Sequence, residues 1–384
     1  MKFIHTADWH LGKIVNSVHM TEDQRWILAK FIEIVKTEAP DAVVIAGDLY
    51  DRSIPPKQAV ELLNETLTTL INDLGIPVLA ISGNHDSPDR LQFGSELFRR
   101  QGLFLDTKLK PNRQPVTLYD THGPVHFHLI PYVEPAEAAS VLEDDTIHSH
   151  QQAAEALVQD IKDRFNEEER HVWVGHAFLA GGMESESEER LSMIGGSPYV
   201  DAALYDGFSY VALGHLHQSQ RITTDYIRYS GSILKYSFSE ANHKKSVTVV
   251  EMDESGDTTF TKVPLVPERD FEIVEGFFED LMVGEAAGNP ENYLHIRLLD
   301  DGQLIDPMGK LRQVYPNILH LERRRSLTYA NLEDLHEVKK RQTLSYQDLF
   351  RSFYEDIKGD EISEHRSRLV EDAVQHLKQE DRGR

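Results

Sequence analysis

Apolar runs and helical spacings alternate through the first eighty residues. Residues 3–7 read as a strand, and beyond them Ile27, Phe31 and Ile34 recur on one helix face, with Thr21 placed to cap that helix. Residues 42–46 are an apolar run short enough for a buried strand. After Pro55-Pro56 a second helix face carries Leu63, Leu67, Leu70, Ile71 and Leu74, and residues 77–81 close the series as a third strand. This rhythm predicts parallel strands covered by helices, because a return to a parallel neighbour needs a crossover.

Farther along, the pattern shortens. Residues 125–130, 172–175, 210–213, 227–229, 246–252 and 258–263 read as strands, the last two joined by a turn at 253–257. The expected fold is α/β and layered, with two central β-sheets flanked by helices, over residues 1–265. Past Pro264 and Pro267, strands near 271–274, 293–299 and 318–322 and helices near 277–282 and 307–314 predict a smaller α+β unit over 266–330. Residues 345–358 and 363–379 read as helices of a C-terminal segment spanning 331–384, whose Leu349, Phe350 and Phe353 require burial against a partner or the chain itself.

The 384 residues carry 64 acidic and 40 basic side chains, a net charge of −24. Residues 131–200 alone hold 15 acidic against 4 basic groups, which reads as a solvated acidic flank. Bulk charge therefore argues against non-specific nucleic-acid binding but leaves room for a local cationic track. There is no cysteine, so disulfides, thiolate ligands and a cysteine nucleophile are excluded. No apolar run reaches the roughly 18 residues of a membrane span, and the chain opens on a short strand without a signal-peptide core, so a cytoplasmic protein without membrane contact is expected.

Candidate chemistry sits at the expected carboxyl ends of strands, where open α/β sheets bind ligands. The motifs are Asp8-Trp9-His10, Gly47-Asp48-Leu49-Tyr50-Asp51, Gly83-Asn84-His85-Asp86, Gly175-His176 and Gly214-His215-Leu216-His217. Nitrogen and oxygen donors without sulfur suit Mn²⁺, Fe²⁺ or Zn²⁺ better than an all-oxygen cage. Asp48 is the natural bridge for a two-metal site. Asn84 offers a neutral oxygen, and His85 is available as an acid, with Asp86 or a backbone group fixing its tautomer. Asp51 is offset from Asp48 and suits a supporting role. His122, His126 and His128 read as structural, as do His148, His150 and His243. The basic groups Lys108, Lys110 and Arg113, residues 323–325 and residues 339–341 could meet phosphate or simply be solvated.

The motif series resembles that of the calcineurin-like metallophosphoesterases. Residues 5–12, 83–88 and 210–217, with the run 229–240, are similar within that superfamily to the SbcD nuclease subunits. The resemblance implies one metal held by Asp8, His10, Asp48 and His217, and a second by Asp48, Asn84, His176 and His215. It further implies two Mn²⁺ per chain, with Mg²⁺ or another divalent ion possible, and His85 and Asp86 as the catalytic pair. The activity implied is duplex exonuclease and single-strand or hairpin endonuclease in DNA repair and recombination. The implied partners are DNA, an SbcC-type ATPase subunit and a second copy of the chain, in a nucleoid-associated cytoplasmic complex. The smaller unit is expected to cap the DNA-binding face and the C-terminal helices to dock on the partner. A phosphodiesterase or phosphatase acting on a small nucleotide or phosphoprotein keeps the metals and changes the substrate, and a non-catalytic scaffold for DNA ends has no need of His85.

Overall fold

The computed structural model describes residues 1–188 and 199–323, together with residues 350, 354, 362, 366, 367, 369 and 370. The helices expected at 345–358 and 363–379 fall almost wholly outside these, as do the basic runs beyond Arg323.

Two six-stranded sheets form the body. In the first, Lys2–Thr6, Ala42–Ala46, Val78–Ile81 and Leu103–Asp106 run parallel in that spatial order, and Ser246–Met252 and Thr258–Pro264 extend it antiparallel beside Lys2–Thr6. In the second, Arg170–His176 lies between the parallel strands Gly123–Ile130 and Tyr210–Gly214, and Val116–Asp120 forms one edge. Alternation explains the continuous apolar runs. Val43, Ile45, Val78 and Ala80 pack toward the helices, whereas Ala42, Val44, Leu79 and Ile81 face a core shared with Phe127, Val172, Val174 and Tyr210 of the second sheet.

The helix Thr21–Glu38 buries Ile27, Leu28, Phe31 and Val35. Thr21 is its first helical residue and Met20 occupies the cap position without a side-chain bond, so the expected Thr21 cap is not formed. The acidic flank is also more structured than expected. It contains Pro135–Leu142 and His150–Lys162, the latter capped by Ser149 and burying Ala153, Ala154, Leu157, Val158 and Ile161. Two alanines give this stripe a weak apolar signal among charged neighbours, which hid it in the sequence.

Residues 1–298 and 304–322 form one compact unit. Phe271–Gly276, Tyr293–Leu298 and Ile318–Arg323 make a three-stranded sheet over a small core of Val274, Leu281, Leu294, Ile296, Leu311 and Tyr315. This sheet is tied to the body by polar bonds to a buried carboxylate. Arg269 donates to both Asp23 oxygens at 2.9 and 2.8 Å, and the Tyr293 hydroxyl donates to Asp23 Oδ2 at 2.9 Å.

Candidate metal centre

The loops that follow the carboxyl ends of strands in both sheets converge on one place. Asp8, His10, Asp48 and His215 adopt positive φ of 53°, 45°, 50° and 108°. Such backbone costs about 1–3 kcal/mol per residue outside glycine and persists where surrounding bonds over-determine it. Here the Asp8 amide donates to the Gly47 carbonyl at 3.1 Å and the His10 amide to the Asp48 carbonyl at 2.9 Å, binding the first two loops together. Gly83 and Gly214 permit the close approach of the others, since a Cβ at Gly83 would overlap Asp48 Oδ1 and one at Gly214 would overlap the Ala46 carbonyl.

All seven ligand candidates lie within this cluster. Asp8, His10 and Asp48 offer ligand atoms within 4.8 Å of one another. His10 Nε2 stands 3.6 Å from Asp48 Oδ2 and 3.0 Å from His217 Nε2. On the other side of Asp48, His176 Nε2 lies 3.4 Å from Oδ2 and 3.0 Å from Asn84 Oδ1, which is itself 3.3 Å from His215 Nδ1. The His215 amide donates to Asp8 Oδ1 at 2.9 Å. Asp48 therefore sits between two groups of donors. Asp8, His10, Asp48, His176, His215 and His217 are buried.

The donor set fits divalent cations. Asp8 Oδ2 and His10 Nδ1 are buried without a hydrogen-bond partner, and the two imidazole nitrogens of His10 and His217 face each other directly. Buried polar atoms in that condition call for a ligand. The electrostatics agree. Burial pushes the Asp8 carboxyl up to about 7. Burial works against charge on Asp48 and His176 as well, yet their mutual attraction wins, holding Asp48 well below the usual carboxylate range and raising His176 to about 9. A proton on His176 thus supplies positive charge beside Asp48, a task suited to a metal ion. His176 Nδ1 donates to the Ala46 carbonyl at 2.9 Å, which directs Nε2 toward Asp48 and Asn84.

His85 is half-buried at the edge of the cluster, its ring 4.7 Å from that of His10. Its amide donates to Asp48 Oδ1 at 3.0 Å, and its Nδ1 donates to the Asp51 carbonyl at 2.9 Å. That carbonyl accepts only from a protonated Nδ1, so the second proton of the imidazolium is carried by Nε2. Asp86 does not orient this ring. Its carboxylate accepts from the amides of Leu49, Tyr50 and Gly83 at 3.1, 2.9 and 3.0 Å, clamping the Asp48 loop to the Asn84 loop. Of the two groups expected to fix the His85 tautomer, Asp86 or a backbone group, the backbone carbonyl of Asp51 is the one that meets Nδ1. The Asp51 side chain accepts from Lys13 Nζ at 2.6 Å and lies 3.7 Å from His10 Nδ1.

Sequence reasoning missed a buried layer behind His217. Its Nδ1 is 3.2 Å from Glu240 Oε1 and 2.9 Å from the Ser187 hydroxyl, which donates to Glu240 at 2.5 Å. Lys245 Nζ donates to Glu240 Oε2, to the His217 carbonyl at 2.8 Å and to Ser232 Oγ at 2.7 Å. Burial opposes the charge on Glu240, and Lys245 outweighs it, keeping the carboxylate ionised. No spacing in the chain announces Glu240, 23 residues beyond His217.

His126 and His128 lie outside this cluster and are engaged by other side chains. His126 meets Thr117 and Glu169 at 2.9 and 2.8 Å, and His128 meets His171 at 3.1 Å in a stack of rings away from the cluster. The cationic loop is compensated: Lys108 pairs with Asp89, Lys110 with Glu96 at 3.6 Å and Arg113 with Asp160 at 3.6 Å.

A sequence profile described as calcineurin-like phosphoesterase matches residues 1–219, more than half of the chain. The SbcD subunit of nuclease SbcCD from Staphylococcus saprophyticus is 39% identical over 382 residues, covering 99% of both chains. The chain belongs to the calcineurin-like phosphoesterases, in the SbcD family. A second SbcD-family relative, from Staphylococcus epidermidis, is 38% identical over 98% of both chains. A dimetal phosphatase structure from Danio rerio aligns with 69% of this chain at 14% identity and a TM-score of 0.40. A second profile, described as type 5 capsule protein repressor C-terminal domain, matches residues 267–358 and so begins where the three-stranded sheet of this SbcD-family chain begins.

Proposed function

We propose that the chain is a metal-dependent DNA nuclease, the D-type subunit of a complex with an SbcC-type ATPase, cutting duplex ends as an exonuclease and single strands or hairpins as an endonuclease. What carries this reading is the convergence of six nitrogen- and oxygen-donor residues around Asp48 in a chain alignable end to end with nuclease subunits. Asp8, His10, Asp48 and His217 would hold one divalent ion, Mn²⁺ by preference, and Asp48, Asn84, His176 and His215 the other. Bound there, the pair would neutralise charge on the phosphodiester and supply an activated water for in-line attack.

The chain's own groups do the rest. Asp86 and the Gly83 turn hold the second and third loops in register, and Glu240 with Ser187 orients His217. His85, fixed with its Nδ1 proton on the Asp51 carbonyl, gives its Nε2 proton to the leaving oxygen, a role worth typically 10²–10⁴-fold. The sheet of residues 271–323 is assigned to capping the DNA face, and the segment beyond 330 to docking the ATPase. A homodimer is favoured by Phe93, Leu97 and Phe98, apolar side chains within six residues that are 84, 73 and 44% exposed. The complex would work on DNA in the cytoplasm, at the nucleoid.

The test is cleavage of an end-labelled duplex in Mn²⁺, beside a chromogenic phosphodiester and a phosphomonoester. The expected result is DNA cleavage that falls at least 100-fold in His85→Asn while Mn²⁺ binding persists. Turnover of the small diester or monoester with DNA left intact would favour the small-substrate phosphoesterase instead.

A further inference from the structure

A second constellation of metal-ligand type lies on the small sheet and plays no part in the phosphodiester chemistry. His295 is on the middle strand Tyr293–Leu298, and His320 and Glu322 are on its neighbour Ile318–Arg323. Residues two apart on a strand project from the same face, and a third donor from the adjacent strand completes a triangle above the sheet. The ligand atoms of these three residues lie within 4.8 Å of one another. The His295 and His320 rings are 4.5 Å apart, and His295 Nε2 is 3.1 Å from Glu322 Oε2.

We propose that His295, His320 and Glu322 bind one divalent transition ion of the zinc class, independently of the Asp48 cluster. Bonds of about 2.0–2.2 Å to zinc place tetrahedral donors about 3.4 Å apart, so the His295–Glu322 pair already has the required span and rotation of the exposed His320 closes the third side. Two imidazoles and a carboxylate suit Zn²⁺, Co²⁺ or Ni²⁺, whereas Mg²⁺ and Ca²⁺ prefer all-oxygen shells. One group opposes binding: Arg297 Nε lies 3.4 Å from the same Glu322 oxygen and must yield to the ion. With three protein ligands the ion keeps a position for water.

The test uses the full-length chain equilibrated with Zn²⁺ and counted by atomic emission after dialysis, with Co²⁺ absorption in parallel. Wild type is expected to hold one equivalent more than either His320→Ala or Glu322→Gln, and both variants should lose the visible band of a four-coordinate Co²⁺ site while keeping the Mn²⁺ dependence of DNA cleavage. Equal Zn²⁺ content and equal Co²⁺ spectra in all three proteins would overturn the proposal. So would loss of more than one equivalent from either variant, because the site would then not be independent of the Asp48 cluster. Neither result bears on whether the chain is a nuclease.

Discussion

Glu240→Gln separates support of the metal centre from the centre itself. The wild-type carboxylate is fully buried and takes four donors: His217 Nδ1, the Ser187 hydroxyl, the Tyr236 amide at 3.2 Å and the Lys245 ammonium. Glutamine preserves volume but removes the negative charge and turns one acceptor into a donor. Two effects follow, on different observables. Lys245 keeps the His217 carbonyl and Ser232 but loses the anion it is bonded to, and breaking a buried ion pair costs about 3–5 kcal/mol. His217 meanwhile loses the carboxylate that orients its ring, a change worth about 10–100-fold in metal affinity, or about 1.4–2.7 kcal/mol. The assays are urea unfolding and the Mn²⁺ concentration that half-saturates DNA cleavage. Adding Lys245→Met should recover much of the stability, because the stranded cation is gone, without restoring Mn²⁺ affinity. A Glu240→Gln protein that half-saturates within twofold of wild type, or a double variant that regains affinity along with stability, would refute this division of labour.

Gly83→Ala should lower nuclease turnover at least tenfold, since the added methyl displaces the Asp48 carboxylate, whereas Gly75→Ala, with positive φ but open space around it, should cost only about 1 kcal/mol of stability and leave turnover unchanged. Burial lowers the His5 pKa to about 3, where its ring is held by the Tyr210 hydroxyl at 3.0 Å and the Leu213 carbonyl at 3.2 Å. Because the unfolded chain takes up that proton near pH 6.5 and the folded chain does not, stability falls as pH drops from about 6.5 toward 3, by about 1.4 kcal/mol per unit. Between pH 7 and pH 5, urea unfolding of wild type should therefore lose about 2 kcal/mol more than that of His5→Gln, and parallel losses would remove His5 as the cause.

Much of this architecture is legible in the chain because burial on both faces leaves continuous apolar strands, and because each strand of the metal cluster ends in a compact polar motif. The five motifs, far apart in sequence, meet within hydrogen-bond distances around Asp48 because their strands lie in two facing sheets with their carboxyl ends together. What stayed hidden has physical reasons too. His150–Lys162 buries alanines, whose apolar signal is weak. Asp86 follows His85 directly, and adjacency suggested a pair where the chain turns the carboxylate toward three amides instead. Glu240 reaches His217, and His295 reaches His320 and Glu322, across tertiary contacts that no local period reports.

The most direct test of the central claim measures Mn²⁺ content and cleavage of end-labelled duplex DNA together, in wild type and Asp48→Ala. If Asp48 bridges two ions in a nuclease, wild type binds two Mn²⁺ at the cluster and cuts DNA, while Asp48→Ala loses both ions and all cleavage. A folded Asp48→Ala protein that retains two Mn²⁺ or still cuts the duplex would contradict the account.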